Sequence, residues 1–266
     1  MASILDEIFA AKRAEVRAQR VTVTPAAIAA ATVRAPAPRP FVDSLRAHRP
    51  AIIAEVKRAS PSKGDILPGL DPAVVARDYA AAGAAAISVL TDRHFKGSLD
   101  DLRAVREAVD LPLLRKDFIF DPYQLYEARA AGADCILLIA AMLKEGELRS
   151  LAALARELKM AALIEVHDAD EFALAKKADA ELIGINNRDL HTFKTDITTT
   201  ETLMGSYDGD ALIVSESGIE TAADIARLSA AGARGFLIGE SLLRGGAPRA
   251  ALAALTTAGG GHDARK

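Results

Sequence analysis

The sequence contains no tryptophan and a single cysteine, Cys135, among its 266 residues. One cysteine cannot form an internal disulfide framework or a cysteine metal cluster. Aromatic residues make up only 5% of the chain, which disfavours an aromatic-rich β-sandwich. The net charge of −3 provides no overall attraction to nucleic acid or to a membrane surface. We therefore expect neither of these as a partner.

Long apolar runs are also missing. No run reaches the roughly 18 residues that a membrane span requires. The first residues are charged and have a helical pattern, without the apolar core of a secretory signal. A cytoplasmic location is therefore expected. Half of the residues are hydrophobic, which at this length is enough to build one large domain or two small ones.

The chain repeats one pattern along its length. Three near copies are AAGAAAISVL at 81–90, AAGADCILLI at 130–139 and AAGARGFLIG at 230–239, and a weaker fourth is KADAELIGI at 177–185. In each copy an alanine-rich helix ends at glycine or a small polar residue, and a short apolar run follows. Because the runs are continuously apolar rather than alternating, they are typical of parallel strands covered on both faces.

Eight such runs occur, separated by helical patterns. They lie at residues 52–56, 86–90, 111–114, 135–139, 161–166, 182–185, 211–214 and 235–238. Several of the intervening helices begin with a capping residue, namely Asp71, Asp121 and Thr221. Eight βα units predict an α/β fold, a (β/α)8 TIM barrel. A doubly wound open sheet is the alternative, but it would favour a nucleotide-binding loop such as GxGxxG or GxxxxGK[ST], and the sequence has neither.

The residues before the first run form a separate unit in this prediction. Residues 1–49 are expected to be an N-terminal helical extension that covers the barrel mouth, because Ile8, Phe9 and Val16 fall on one face of a helix. Residues 50–258 are the predicted barrel. Residues 259–266 are a predicted disordered tail.

Charged and polar residues follow the apolar runs, at the strand ends that carry the chemistry in this fold. Glu55 and Lys57 are two positions apart, so their side chains point to the same side of the first strand. Opposite charges at the end of a buried strand are costly unless they pair or meet a ligand. They are therefore either a solvated strand end or half of an active site. The other strand ends supply Lys116, Glu165, Asn186, Arg188 and Glu216.

Two turns near the end of the chain are candidates for binding phosphate. Ser217-Gly218 and Gly239-Glu240-Ser241 expose backbone N–H groups after the seventh and eighth strands, where this fold commonly binds phosphate. In a closed barrel the first strand is the next neighbour, so its residues could reach the same anion. The candidate phosphate-binding residues are Lys57, Ser60, Gly218, Gly239 and Glu240.

Lys116 and Glu165 are expected to face each other across the mouth, as a general acid and a general base. Four apolar residues near the same rim could line a pocket for a flat group: Phe95, Phe118, Leu137 and Leu190. The histidines near strand ends, His94, His167 and His191, lack metal-ligand spacing. We predict that they take no part in the site and that no metal is bound.

Six motifs carry a family resemblance. They are IAEVKRASPS at 53–62, LRKDFI at 114–119, LIEVH at 163–167, IGINNRDL at 183–190, SESGI at 215–219 and IGESL at 238–242. Together they resemble indole-3-glycerol-phosphate synthase. The resemblance runs from about residue 4 to residue 255 and keeps the order of the motifs.

The resemblance implies a reaction and a substrate. The substrate is 1-(2-carboxyphenylamino)-1-deoxyribulose 5-phosphate, and the enzyme, a carboxy-lyase of tryptophan biosynthesis, closes the indole ring with loss of CO₂ and water. No metal or organic cofactor is implied. We expect a monomer that acts on a small phosphorylated molecule. Since the chain contains one barrel, unlike bifunctional relatives with two, a single activity is expected.

The resemblance also implies roles for individual residues. Lys116 is the acid that protonates the ketone oxygen, and Glu165 is the base for the proton on nitrogen, with Glu55 as a second group for proton handling. Lys57 pairs with Glu55 and helps to hold phosphate or carboxylate. The remaining implied substrate contacts are Asn186 and Glu216 to the ribulose hydroxyls, Arg188 at the rim, and Ser60, Ser217, Gly218, Gly239 and Glu240 at phosphate or substrate positions.

Glu240 departs from the pattern, because some relatives carry serine there. A carboxylate beside a phosphate would repel it. We therefore predict that only the backbone N–H of Glu240 contacts the anion. Two other functions remain open at this stage. One is a different phosphosugar barrel enzyme, either an aldolase that forms a Schiff base on Lys116 or the neighbouring pathway isomerase, and the other is a barrel that only binds a phosphorylated ligand.

Overall fold

A computed structural model describes residues 4–60, 64–67, 69–189, 192–205 and 207–257, with the side chains of residues 4–6, 60 and 257 left out. The predicted tail at 259–266 lies outside the described residues. The helices are α1 Ile4–Thr22, α2 Pro25–Thr32, α3 Phe41–Ala47, α4 Pro72–Ala81, α5 Leu99–Ala108, α6 Pro122–Ala130, α7 Glu145–Glu157, α8 Ala169–Lys177, α9 Thr198–Met204, α10 Ala222–Ala230, α11 Glu240–Leu243 and α12 Pro248–Thr257. The strands are β1 Ala51–Val56, β2 Ala59–Ser60, β3 Gly64–Asp65, β4 Ala86–Leu90, β5 Leu113–Lys116, β6 Cys135–Ile139, β7 Ala161–Val166, β8 Leu182–Asn186, β9 Leu212–Glu216 and β10 Gly235–Ile238.

Eight of these strands form a closed parallel barrel. Its order is β1-β10-β9-β8-β7-β6-β5-β4, and β4 pairs again with β1. The predicted (β/α)8 TIM barrel is confirmed, and the open-sheet alternative is wrong. The remaining two strands, β2 and β3, form a short antiparallel pair in the segment after β1, which the sequence patterns did not predict.

Helix starts follow the predicted capping chemistry. The side chain of Asp71 accepts hydrogen bonds from the backbone N–H groups of Ala73 and Val74 at the start of α4. Asp121 and Thr221 form capping boxes at the starts of α6 and α10. Each cap satisfies backbone donors that would otherwise lack partners in the first helical turn.

Three strands extend further than their apolar runs. The strands β5, β8 and β9 continue to Lys116, Asn186 and Glu216, one or two residues past the predicted ends. The backbone ladder still holds there, since Lys116 lies opposite Leu90 and Asn186 lies opposite Glu216. An apolar pattern reports burial, whereas a strand ends where backbone pairing ends. These polar residues are therefore held by the barrel itself rather than by loops.

The N-terminal extension contacts both ends of the barrel. Lys12 of α1 forms ion pairs with Asp92 and Asp117, which follow β4 and β5 at the carboxyl ends of the strands. The predicted cover over the mouth is thereby confirmed for α1 but not for the whole of residues 1–49. The third helix, α3, lies at the opposite end, where Ser44 Oγ donates a hydrogen bond of 2.6 Å to the carbonyl of Ala85, just before β4.

The barrel interior is apolar below the mouth. Inward-facing residues of the strands form one buried cluster together with α3, which includes Phe41, Leu45, Ile53, Leu114, Leu163, Leu182, Val214 and Leu237. A larger cluster fills the layer between the strands and the outer helices. Among the described helices, none is both long and apolar enough to cross a membrane.

Candidate active site

A cavity of about 340 Å³ opens at the carboxyl ends of the barrel strands. Its volume lies within the range that encloses a small organic ligand. All eight barrel strands contribute to its lining, and so do α1 and the turns after β9 and β10. Predicted site residues in the lining are Glu55, Lys57, Phe95, Lys116, Phe118, Leu137, Glu165, Asn186, Arg188, Glu216, Ser217, Gly218, Gly239 and Glu240.

The floor of the cavity holds a lysine between two carboxylates. Lys116 Nζ lies 2.9 Å from Glu165 Oε2 and 3.2 Å from Glu216 Oε2. These residues end or nearly end β5, β7 and β9, so three strands of a rigid barrel fix their positions. The predicted approach of Lys116 and Glu165 across the mouth is therefore present, and Glu216 joins the pair.

A second ion pair lies on β1 and just beyond it. Lys57 Nζ is 2.7 Å from Glu55 Oε1, as the spacing of two residues predicts. Gly239 permits this arrangement, because a Cβ at that position would clash with the Glu55 carboxylate. We call Glu55, Lys57, Lys116, Glu165 and Glu216 the pocket cluster.

The charges in the pocket cluster separate the pKa values of its two facing carboxyls. Burial and the negative charge of Glu165 raise the pKa of Glu216 to about 8, despite the nearby Lys116. Burial also opposes the ionisation of Glu165, but Lys116 and His167 outweigh it and lower the pKa of Glu165 below its usual range. Near pH 7, one carboxyl is therefore an acid that carries a proton and the other is a base.

Lys116 is a cation in this setting. Burial disfavours its charge, but the Glu165 carboxylate, aided by the other carboxyl groups of the pocket cluster, outweighs burial and raises its pKa above the ordinary value. A protonated ammonium has no free electron pair, so Lys116 is suited to donating a proton rather than to acting as a nucleophile.

Glycine at a strand position makes room for Glu216. A Cβ on Gly184 of β8 would clash with Glu216 Oε1. Gly184 is not among the predicted site residues, although a glycine inside a strand pattern often marks a close approach by another group.

Aromatic and aliphatic side chains form the apolar wall of the cavity. Phe95 and Phe118 lie with ring centroids 6.4 Å apart, and Leu137 lies in the same lining. Ile8 of α1 completes this wall, so the N-terminal extension contributes directly to the cavity. Leu190, the fourth predicted apolar contact, lies outside the described residues.

The turns after β9 and β10 lie side by side at the rim. Ser217 and Gly218 both have positive φ angles, 67° and 77°. Residues other than glycine rarely adopt this backbone conformation. Ser241 Oγ donates a hydrogen bond of 2.9 Å to the carbonyl of Ile219, which ties the two turns together. A strained serine at a cavity rim is typical of a functional position.

Glu240 and Ser60 are the two remaining predicted phosphate contacts. The Glu240 carboxylate lies 2.9 Å from Arg244 Nη2, one turn further along the chain. Its predicted contact with phosphate through the backbone N–H alone stays a prediction. The side chain of Ser60 lies outside the described part of the chain, although its backbone is placed in β2.

Comparisons with known proteins agree with the geometry. A family model described as indole-3-glycerol phosphate synthase matches residues 5–255. A protein of that name from Acidithiobacillus ferrooxidans is 49% identical over 257 residues, covering 95% of this chain and 98% of the relative. Another from Roseiflexus sp. is 51% identical over 253 residues, covering 91% of this chain and 94% of the relative. This chain belongs to the indole-3-glycerol phosphate synthase family.

Solved structures of other enzymes share the fold. An N-acetylmannosamine-6-phosphate 2-epimerase from Clostridium perfringens superposes with a TM-score of 0.61 at 15% identity, over 76% of this chain and 91% of that chain. A 3-hexulose-6-phosphate synthase gives a TM-score of 0.61 at 15% identity, over 78% of this chain and 99% of that chain. At this identity the likeness concerns the barrel alone, whereas the synthase family is shown by the sequence matches.

One of the histidines that were predicted to take no part in the site lies next to a site residue. His167 Nε2 is 3.4 Å from Glu165 Oε1, although His167 does not line the cavity. A search for metal ligands misses it, because its partners are two carboxylates and not a metal. His94 pairs with Asp92 through a 2.8 Å contact from Nδ1. His191 lies outside the described residues.

Lys12 was also missed. Its side chain is 1% exposed and lies 2.7 Å from Asp92 Oδ2 and 3.0 Å from Asp117 Oδ1. Arg115 completes the network, with ion pairs of 2.9 Å to Asp117 and 2.8 Å to Glu127. We call Lys12, Asp92, Arg115, Asp117 and Glu127 the anchor cluster. Lys12 also pairs with Glu15, three residues further along α1, but nothing in an amphipathic helix signals its other two partners, Asp92 and Asp117, which lie 80 or more residues away.

Proposed function

We propose that this cavity is the active site of the chain and that the pocket cluster performs its acid–base chemistry. The reaction is that of the indole-3-glycerol phosphate synthase family. The ring of 1-(2-carboxyphenylamino)-1-deoxyribulose 5-phosphate closes to give indole-3-glycerol phosphate, with loss of CO₂ and water, in tryptophan biosynthesis. The observation that carries the proposal is the placement of Lys116 between Glu165 and Glu216 beneath an apolar wall.

Ring closure is the first step. A bond forms between the aromatic carbon that bears the carboxylate and the ketone carbon, while Lys116 Nζ donates a proton to the ketone oxygen. The carboxylate then leaves as CO₂, and its electron pair restores the aromatic ring. Because Lys116 is held as a cation chiefly by the Glu165 carboxylate, the proton is available where negative charge develops.

Dehydration is the second step. The hydroxyl leaves as water after accepting a proton, and a base removes the proton that the ring system releases. Glu216, with its pKa of about 8, carries a proton to donate at neutral pH, and Glu165 is ionised and can accept one. Water leaves with two hydrogens, of which the substrate supplies one, so one proton enters from solvent in each turnover. Glu55 is a second candidate for this proton handling.

The rest of the cavity binds and orients the substrate in this proposal. Phe95, Phe118 and Leu137 accept the flat anilino ring, and Lys57 pairs with the phosphate or carboxylate. Asn186 lies opposite Glu216 in the barrel ladder, so both can reach the ribulose hydroxyls. The proposed contacts at the rim are Arg188, Ser217, Gly218, Gly239 and the backbone N–H of Glu240, and Ser60 and Leu190 remain proposed contacts from the sequence.

Turnover of the anilino-deoxyribulose phosphate tests the proposal, followed by the fluorescence of the indole product. Wild type is expected to turn over, and Lys116→Met is expected to lose about 10²–10⁴-fold in kcat, because the proton donor is gone. Lys177→Met, which removes an exposed lysine of α8, is the matched control. If Lys116→Met retained the wild-type kcat, Lys116 would not be the acid.

Borohydride provides a separate check on the lysine. An aldolase with a Schiff base on Lys116 would be trapped covalently in the presence of a ketose phosphate. Since Lys116 is held in its protonated form, we expect no trapping. Covalent labelling of Lys116 would favour the aldolase instead.

A further inference from the structure

His167 lies between two carboxylates at the end of β7. It is two residues beyond Glu165, so both side chains point to the same side of the strand. Its ring Nε2 lies 3.4 Å from Glu165 Oε1, and its Nδ1 lies 2.9 Å from Glu171 Oε2. The side chain is only 11% exposed. The ring therefore bridges the proposed catalytic base and a carboxylate of the following helix.

Glu171 is itself held in place. It lies in the first turn of α8, where its backbone N–H donates a hydrogen bond of 2.9 Å to the capping residue Asp168. Its Oε2 accepts a 2.9 Å hydrogen bond from the backbone N–H of His167 as well as contacting the ring. Two contacts with one residue fix the plane of the imidazole from the side away from the cavity.

The chemistry of the two neighbours determines the state of the ring. Ionised carboxylates only accept hydrogen bonds, so a nitrogen that faces one must carry a hydrogen. Nδ1 of His167 lies within hydrogen-bond distance of Glu171 and Nε2 lies at ion-pair distance from Glu165, so the two negative charges favour the imidazolium. Burial disfavours this charge, but Glu165 and Glu171 outweigh burial and raise the pKa of His167 to about 10.

We propose that His167 is a positioning residue for the reaction: braced by Glu171, it holds the Glu165 carboxylate so that Oε2 faces Lys116. The two oxygens of Glu165 then have separate partners, Oε1 towards His167 and Oε2 towards Lys116. His167 does not line the cavity, so it acts through Glu165 and not on the substrate. The inference rests on the proposed role of Glu165 as the base.

Three other members of the pocket cluster influence the Glu165 carboxylate, directly or through each other, so its orientation depends on the contact with His167. Lys116 faces it from β5 and Glu216 from β9, with Glu55 of β1 close enough to influence both Lys116 and Glu216. Without His167, the carboxylate could rotate about its last bond and Lys116 could shift towards Glu216. The base would then be present but misdirected, and misplacement by about 1 Å can cost about a hundredfold in rate.

Two amide substitutions separate positioning from simple packing. In His167→Gln the amide nitrogen can occupy the place of Nε2 and face Glu165 Oε1. In His167→Asn it can occupy only the place of Nδ1 and face Glu171. We expect both to lower kcat, by about tenfold or more in His167→Asn, with His167→Gln retaining several-fold more activity. KM is expected to change little, since the ring does not line the cavity.

His48→Gln is the matched control for these variants. His48 follows α3 at the opposite end of the barrel, where Nδ1 contacts the carbonyl of Ser44 at 2.7 Å. This variant is expected to keep the wild-type kcat. Wild-type kcat in both His167 variants would overturn the proposal. Equal losses in the two variants, or a greater loss in His167→Gln, would also overturn it, because a purely structural role does not distinguish the two nitrogens.

The bridge can be observed directly by NMR of the histidine rings, with His167→Gln used to assign the signal. We expect His167 in the resting protein to carry hydrogens on both nitrogens at pH 8 and to titrate near pH 10. Glu171→Gln is expected to lower that titration midpoint, because a negative charge is removed. Titration near 6.5 in the wild-type protein would show that the ring does not bridge two carboxylates.

Glu165→Gln, measured in the same kinetic assay, distinguishes a failure of the proposed base from a failure of the positioning role of His167. If Glu165→Gln retained the wild-type kcat, the proposed base would be wrong, and any loss in the His167 variants would need another cause. If Glu165→Gln lost activity while both His167 variants kept theirs, the base would stand and only the positioning role would be overturned.

Discussion

The pocket cluster and the anchor cluster contain the same kinds of group, three carboxyl groups and two basic side chains, and both lie at the carboxyl ends of the strands. Their cations differ in accessibility. The side chains of Lys57 and Lys116 are each 16% exposed, whereas those of Lys12 and Arg115 are 1% and 3% exposed. A ligand can therefore reach the cations of the pocket cluster, while those of the anchor cluster are enclosed by their partners.

The carboxyls of the two clusters also differ. In the anchor cluster, burial opposes the charge of Asp117, but Arg115 and Lys12 outweigh it and lower its pKa. A hydrogen bond of 2.6 Å from Thr91 adds to this effect. In the pocket cluster the pKa of Glu216 is raised while that of Glu165 is lowered. Buried charge alone therefore does not mark an active site. Accessible cations beside carboxyls with separated pKa values do.

The largest effect that separates the clusters is expected from Glu165→Gln. Removing the base should lower kcat by about 10²–10⁴-fold. The fold should be retained, because Lys116 keeps Glu216 as a partner. Steady-state kinetics and thermal unfolding of the same preparation measure both effects, with the exposed Glu157→Gln of α7 as the control. A kcat equal to that of wild type would remove the distinction between the clusters.

The corresponding change in the anchor cluster is Lys12→Met. It leaves Asp92 and Asp117 buried without their shared cation, and breaking a buried ion pair from one side typically costs about 3–5 kcal/mol of unfolding free energy. Urea unfolding should detect this loss, while Lys177→Met should not show it. An unfolding midpoint equal to that of wild type would mean that the cluster does not anchor α1.

A smaller effect is expected when the pocket cluster is displaced without losing a charge. In Gly184→Ala the new methyl group would push the Glu216 carboxylate away from its position, and the flexible side chain can move without unfolding the barrel. We expect kcat to fall by about tenfold, since reacting groups tolerate little misplacement. Gly146→Ala in α7 is the matched control, because a Cβ there meets no atom within 4 Å. Equal kcat values in the two variants would contradict the close approach of Glu216.

The smallest effect concerns stability and pH. Glu216 has a pKa of about 8 in the folded protein and about 4.3 when unfolded, so between these values the folded state binds the extra proton. Its contribution to stability is therefore present at low pH and is lost as the pH rises from about 5 to 8. Over this pH range, the unfolding free energy of wild type should therefore fall by about 1 kcal/mol more than that of Glu216→Gln, or by a larger difference.

The contribution of His167 to the unfolding free energy also falls above about pH 6.5, because its pKa is raised on folding. The relevant quantity is thus the difference between wild type and Glu216→Gln in urea unfolding at pH 5, 6.5 and 8. If that difference did not change with pH, the pKa of Glu216 would not be raised.

The sequence predicts the barrel well because each βα unit repeats the same local chemistry. A helix cap, an alanine-rich helix and an apolar run recur, and local patterns of this kind depend little on distant residues. The pairing of Lys57 with Glu55 is predictable for the same reason, since two residues on one strand share a face. The approach of Lys116 to Glu165 follows from the fold once the strands are counted.

Other features depend on contacts that no local pattern encodes. Lys12 pairs with Asp92 and Asp117 only because α1 packs on the ends of β4 and β5. Gly184 matters because Glu216 of the neighbouring strand lies above it. The side of the strand that His167 shares with Glu165 is predictable, because the two residues are two positions apart. Its second partner, Glu171, is close only because Asp168 caps α8 and places Glu171 in the first helical turn. These are contacts between elements, and the sequence patterns describe single elements.

The most direct test of the account compares wild type, Lys116→Met and Lys12→Met side by side, measuring turnover of the anilino-deoxyribulose phosphate and urea unfolding for each. We expect Lys116→Met to lose its turnover even where it is fully folded, whereas Lys12→Met loses stability and retains turnover at temperatures where it is folded. A folded Lys116→Met protein with wild-type turnover would contradict the central claim that the pocket cluster carries the chemistry.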